Sequence, residues 1–177
     1  MSELWDLYDR DRRPLNMTHE RGKYLRRGTY HIAVGIWTVN DNNELLITLR
    51  SPEKRDWPNM WENTAGSLLS GEDSLDGAVR ELYEETGIKV DKTDLRLLGT
   101  EIGRNVIGDC YVVRKNVDIN DIVLQEGETC DARWVSLDVL DQMIAENLVA
   151  PPVASRLEKV RKKLEAYINR TKERKKL

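Results

Sequence analysis

The chain has 177 residues, 33% of them charged and 40% apolar, with a formal net charge of −3. That is enough for one domain with a sizeable core, since domains run to roughly 100–200 residues. No run approaches the ~20 apolar residues of a membrane-spanning helix, Met1-Ser2-Glu3 opens no signal peptide, and two cysteines without a CxxC support neither a disulfide framework nor a cysteine zinc site. A cytoplasmic protein without a membrane or nucleic-acid partner is the expectation. The near-neutral total hides a split, because ten Lys/Arg against three Glu from Arg156 onward leave the rest of the chain strongly acidic.

Residues 4–9 alternate enough for a strand that ends in the turn-prone Asp11-Arg12-Arg13-Pro14, so residues 1–27 read as an N-terminal strand-and-turn extension. Tyr30 to Val39 (YHIAVGIWTV) is almost continuously apolar, as a strand buried on both faces would be. Asn40-Asp41-Asn42-Asn43 supplies turn chemistry and Glu44 to Arg50 returns, which predicts a hairpin. Pro52 and Pro58 mark Ser51 to Met60 as a loop. From Asp73 the period changes: Leu75, Ala78, Val79 and Leu82 form one helical face, with Asp73 or Ser74 as N-cap and Gly87 as terminator. Leu95 to Ile102 and Val106 to Lys115 read as strands, and a shorter one ends at Trp134-Val135. Ser136 should cap a helix with Leu137, Leu140, Ile144 and Leu148 as its core stripe. After Pro151-Pro152, Val153, Leu157, Val160, Leu164 and Tyr167 line one side of a last, basic helix over residues 151–177, packed on the domain or on a partner. Interleaved strands and helices predict a mixed α/β domain over residues 28–150.

Chemistry concentrates in residues 66–88, GSLLSGEDSLDGAVRELYEETGI. On a helix Glu81 and Glu85 lie about 6 Å apart along the axis and share a face, with Glu84 beside them. Arg80 can reach Glu84 one turn on and Glu72 across the loop, but cannot neutralise so many acids alone. Hard, oxygen-preferring Mg²⁺ or Mn²⁺ can. A solvated acidic helix face is the bland alternative.

The spacing separates the two, because Gly66, Glu72, Arg80-Glu81-Leu82, Glu84-Glu85 and Gly87-Ile88 fit every specified position of G-x5-E-x7-R-E-U-x-E-E-x-G-U. The segment thereby resembles the box of the Nudix hydrolases. The resemblance implies the Nudix fold, an α/β (mixed α+β) sheet sandwiched between helices, and metal-dependent hydrolysis of a diphosphate linked to another group. It casts Glu81 and Glu85 as principal metal ligands, Glu84 as a further ligand or water-orienting carboxylate, and Ala65 as a carbonyl ligand. Glu72 and Arg80 become structural ties, and Gly66 and Gly87 backbone residues. The proton acceptor varies in the family, and here Glu128 or Glu126, in LQEGETCDARWV, is the candidate in a later loop. Many family members are dimers, so a homodimer stays open.

A second resemblance covers His31 to Trp61 and the following Glu62-Asn63-Thr64, which are similar to type I isopentenyl diphosphate isomerases of the same fold. Those enzymes need a cysteine before the box glycine and a histidine after it, where this chain has Ala65 and Ser67. The resemblance still implies that Arg50 and Lys54 face a substrate diphosphate. His31 matches a metal-ligand position there but, lacking its partners, reads as structural. The expected function is Mg²⁺-dependent hydrolysis of a nucleoside diphosphate derivative or related organic diphosphate, against isomerase activity or a non-catalytic diphosphate-binding module.

Overall fold

The computed structural model describes the backbone of residues 3–174 and the side chains of residues 3–169. Met1 and Ser2, and the side chains of the last bases of the tail from Arg170 on, lie outside the described residues. Among the described residues, nine strands and three α-helices follow one another as β1 Leu4–Tyr8, β2 Pro14–Glu20, β3 His31–Val39, β4 Leu45–Arg50, β5 Trp61–Glu62, β6 Thr64–Ser67, α1 Ser74–Thr86, β7 Arg96–Ile102, β8 Val106–Arg114, β9 Thr129–Val135, α2 Leu137–Ala145 and α3 Pro151–Arg174. A mixed sheet runs β5-β4-β3-β8-β7, with β6 alongside β3 and β9 alongside β4; β3 and β8 are parallel and the other pairs antiparallel.

Alternation along β3 builds a core on each face. Ile32, Val34 and Ile36 meet Ala78 and Leu82 of α1, whereas Trp37 and Val39 meet Leu140 of α2 and Val153, Leu157, Val160 and Leu164 of α3. The expected sandwich is therefore present, and the C-terminal helix packs on its own domain. None of the described helices is long and apolar enough to cross a membrane.

The expected hairpin of β3 and β4 is paired in register only at Val39↔Leu45. Beyond the turn the strands part, because β6 takes the edge of β3 from Ile36↔Thr64 to Ala33↔Ser67 while β4 pairs with β5 and β9. This parting seats the first residues of the box in the sheet.

Helix α1 begins and ends as its residues dictate. Asp73 accepts from the Asp76 N–H at 2.8 Å, and Gly87, at φ 73°, donates to the Tyr83 carbonyl at 2.8 Å. Its buried face is Gly77, Ala78, Leu82, Glu85 and Thr86, rotated from the expected stripe so that Leu75 and Val79 are only half-buried. The cause is close approach to the box strand: a Cβ on Gly77 would stand 2.8 Å from Leu68 Cδ1. That rotation turns Glu85 inward.

In α2 the Ser136 cap forms at 3.2 Å, and Leu140 and Met143 are buried with Leu137 and Ile144 half-covered. Leu148 departs from the expected stripe and is 43% exposed, because the helix ends at Ala145 and Asn147, at φ 59°, turns the chain away. Strand β2 is an addition to the expected elements. It pairs with β1 as a separate ribbon that Tyr8 bridges to Tyr30. Asp6 on this ribbon accepts from Ser70 Oγ at 2.7 Å and from the Gly71 N–H at 2.8 Å, gripping the box loop from outside.

Candidate active site

The box residues meet where α1 crosses β6. Arg80 is the hub. Its Nε and Nη2 donate to the two Glu72 oxygens at 2.6 and 2.9 Å, and Nη2 also donates to the Ser67 carbonyl at 3.0 Å. Its Nη1 reaches Glu81 at 2.9 Å and Glu84 at 3.0 Å. Glu72 in turn accepts the Leu69 N–H at 2.8 Å, closing loop onto helix. Burial alone would raise the Glu72 carboxyl, but the Arg80 fork and that N–H hold it below its ordinary value.

Gly66 has a steric purpose. A Cβ there would fall 2.0 Å from the Glu81 carboxyl carbon, so any other residue would expel the carboxylate. Glu81 is consequently pressed against the backbone of β6, and desolvation raises its carboxyl, with Arg80 pulling the other way.

Glu85 is the most constrained of the acids. It is 7% exposed, its Oε2 has no hydrogen-bond partner, and the Ala65 backbone supplies one hydrogen bond. Burial pushes its carboxyl well above the ordinary range, and the fields of Glu62, Glu81 and Glu128 push the same way. A buried carboxylate oxygen without a donor is costly unless a cation or proton completes it.

Glu62, on β5, was not among the candidates from sequence. It is buried and takes the Arg50 Nη1 at 2.9 and 2.7 Å, while burial raises its carboxyl against that guanidinium. The only sequence signal was an acid standing between Trp61 and Asn63 just ahead of the box.

The expected diphosphate cations already hold partners. Arg50, besides gripping Glu62, donates to the carbonyls of Asp56 at 2.8 Å and Trp57 at 3.2 Å. Lys54 is ion-paired with Glu128. Of the two acids in the later loop, Glu128 thus lies within the field of Glu85, whereas Glu126 is exposed. His31 stacks on Trp5 with ring centroids 4.0 Å apart, in keeping with a structural histidine.

The donor set around Glu85 is entirely oxygen, which suits a hard divalent cation. Among the described residues no three His, Cys, Asp or Glu side chains stand together as a ready cage, because Glu81 and Glu84 both turn an oxygen to Arg80. The partnerless Glu85 Oε2, the Gly66 cradle and the all-oxygen donors nevertheless fit such an ion.

The NUDIX domain family profile matches residues 29–157. Among curated relatives, an uncharacterized Nudix hydrolase of Listeria monocytogenes is 35% identical over 142 residues, covering 80% of this chain and 84% of that protein. An isopentenyl-diphosphate Delta-isomerase of Paenarthrobacter aurescens is 29% identical over 144 residues, covering 76% of this chain and 77% of that one. The crystal structure of DR0079 from Deinococcus radiodurans superposes with a TM-score of 0.75 at 19% identity, covering 89% of this chain and 99% of that one, which shows the shared fold. The unbroken box, the sheet that carries it and these relatives agree: the chain belongs to the Nudix hydrolases, a family of pyrophosphohydrolase enzymes.

Proposed function

We propose that this hydrolase cleaves the diphosphate linkage of a nucleoside diphosphate derivative, or a related organic diphosphate, using Mg²⁺ or Mn²⁺ held by Glu81 and Glu85 with help from Glu84 and the Ala65 carbonyl. The observation that carries the reading is Glu85, a buried carboxylate with a partnerless oxygen in the electrostatic field of Glu62, Glu81 and Glu128. When bound there, the ion supplies charge neutralisation of diphosphate oxygens and a more acidic water. The protein's own residues orient and exclude. Arg80 fixes one oxygen each of Glu81 and Glu84, and Gly66 leaves the room in which Glu81 lies. Glu128 is the proton acceptor, held at the site by Lys54, and Glu126 in the same loop is its substitute. Arg50 lines the cleft beside Glu62, Ala65 and Gly66, and Lys54, paired with Glu128, acts on Glu62 through its field, so both add positive charge for a diphosphate while each grips a carboxylate. Two free cysteines suit a reducing cytoplasm.

The likeness to an isomerase favours a second reading, protonation and deprotonation of a prenyl carbon skeleton. The side chains oppose it. Ala65 stands where a thiol is needed, Cys110 is buried with its thiol pushed up to about 12 by desolvation, and Cys130 is exposed on β9.

Assaying nucleoside diphosphate derivatives, dinucleoside polyphosphates and prenyl diphosphates with Mg²⁺ should find at least one hydrolysed substrate. Glu85→Gln should then lower kcat about a hundredfold or more with the fold retained. Undiminished turnover in that variant would sink the metal-platform reading, and double-bond migration without phosphate release would favour the isomerase.

A further inference from the structure

Residues 21–30, RGKYLRRGTY, carry four bases and no acid in a chain whose net charge is −3. This loop joins β2 to β3, and the fold sets it against two other segments. Arg10 comes from the turn after β1, Arg27 from the loop itself and Arg104 from the turn between β7 and β8. All three line one cavity of about 990 Å³, at the upper end of the roughly 300–1,000 Å³ of small-molecule sites. No acidic residue shares that lining, and none of its residues belongs to the cleft of Arg50, Ala65 and Gly66.

The three segments are fastened to one another. Asn105 Nδ2 donates to the carbonyls of Arg26 at 3.0 Å and Thr29 at 2.7 Å, and the Asn105 carbonyl accepts the His31 N–H at 3.1 Å. Tyr8 and Tyr30 exchange backbone hydrogen bonds at 2.8 and 2.9 Å, which ties the stem before Arg10 to the end of the loop. The walls of the cavity are therefore held in place before any ligand arrives, which lowers the cost of binding.

The arginines themselves are left over. Arg12, Arg50, Arg80 and Arg161 each meet a carboxylate, and within the loop Arg21 pairs with Glu3 and Lys23 with Glu20. Among the described residues Arg10, Arg27 and Arg104 make no side-chain hydrogen bond or ion pair. Three like charges around one hollow repel one another, and no carboxylate in the lining offsets them. Tyr24, 87% exposed, and Tyr30 add ring surface to the same wall.

We propose that this cavity is a second anion site, separate from the glutamate site, and that it takes an oligophosphate chain. A guanidinium fork matches two phosphate oxygens, so three arginines suit a chain of phosphates better than a single one. Inorganic triphosphate and the tail of a nucleoside triphosphate share this chemistry, and a base attached to the chain would find the Tyr24 ring beside it.

Calorimetric titration of the full chain in EDTA tests the site, because no divalent ion is then present to bridge phosphates to the glutamates. The ligands are inorganic phosphate, triphosphate, ATP and adenosine. The wild type should bind triphosphate at least tenfold more tightly than phosphate. Arg27→Gln and Arg104→Gln should each weaken triphosphate about tenfold, with part of the loss recovered by lysine at either position. Arg96→Gln, which removes the same charge from the exposed far end of β7, should stay within about twofold. ATP binding that exceeds triphosphate binding, with the excess removed by Tyr24→Ala, assigns the chain to a nucleotide; equal affinities assign it to the inorganic anion, and both keep the site. No binding of triphosphate by the wild type, or equal affinity for phosphate, overturns the proposal. So does a loss in Arg96→Gln as large as in Arg27→Gln, which would reduce the site to general charge. A clear gain of affinity in Glu85→Gln would move the anion to the glutamates and likewise overturn it.

Discussion

Arg80 on α1 reaches the box strand at the Ser67 carbonyl, Arg156 on α3 lines the cleft beside Ala65 and Gly66, and the chain treats the two in opposite ways. Arg80 spends every terminal nitrogen on the protein, on Glu72, Glu81, Glu84 and the Ser67 carbonyl. Among the described residues Arg156 gives one bond, to its own helix, and leaves its fork open. A guanidinium surrounded by carboxylates cannot turn to a ligand without stranding them, so it serves as scaffold. One with open donors beside a cavity has no such tie and is free to recognise an anion. The contrast extends to the sheet, which is packed with aliphatic side chains under α1 and thinned to glycine under the first turns of α3.

The largest expected effect breaks the scaffold side. Arg80→Ala would leave Glu72 and Glu81, both mostly buried, without their cation, and should cost about 3 kcal/mol of stability in urea unfolding. Arg80→Lys should recover only part, since an ammonium cannot bond both Glu72 oxygens in the plane of a fork. Arg156→Ala should stay within about 0.5 kcal/mol of wild type. Equal losses in the two alanine variants would erase the distinction.

The next effect probes a second support of the box side by acid. His31 is stacked under Trp5 of the ribbon that grips the box loop, and burial lowers its pKa to about 4, with His19 and Arg21 pushing the same way. Below pH 6.5 the unfolded chain takes up this proton and the folded one does not. The contribution of His31 is therefore fully present above 6.5 and is lost as the pH falls toward about 4, amounting to about 2 kcal/mol at 1.36 kcal/mol per pKa unit after discounting for partial exposure. Unfolding curves across this window should show that slope in the wild type and a shallower one in His31→Phe, which keeps the stack and removes the titration. A parallel slope in both would place the acid sensitivity elsewhere.

Much of the scaffold is legible in the sequence because it is local. The cap at Asp73, the stop at Gly87, the Arg80–Glu84 reach and the apolar period of α3 all depend on neighbours within a turn or two. What lies between strands is less legible, because it depends on register between distant segments. Gly35, Gly99 and Gly108 thin the sheet under α3 only once β3, β8 and β7 are aligned, and Glu62 meets Glu85 only after β5 has paired with β4. Strand β2 escaped for another reason: Pro14–Glu20 is mostly exposed and shows no apolar alternation to read. The rotation of α1 likewise follows from Gly77 seating on Leu68, a contact that the period of Leu75, Ala78, Val79 and Leu82 cannot reveal.

The smallest expected effect sharpens the boundary between the two regions. Asp6 holds Ser70 and Gly71 in the loop that carries the backbone from Gly66 to Glu72, and it does so from the exposed side. Removing two exposed bonds with Asp6→Ala should cost about 1 kcal/mol and speed amide exchange at Gly71 and its neighbours. Because Glu72 is the anchor of Arg80, a looser loop should lower kcat a few-fold. The Arg156 side takes no part in that loop, so KM should be unchanged. If Asp6→Ala raised KM as strongly as it lowered kcat, recognition would depend on the box loop, and the separation of scaffold from recognition would fail.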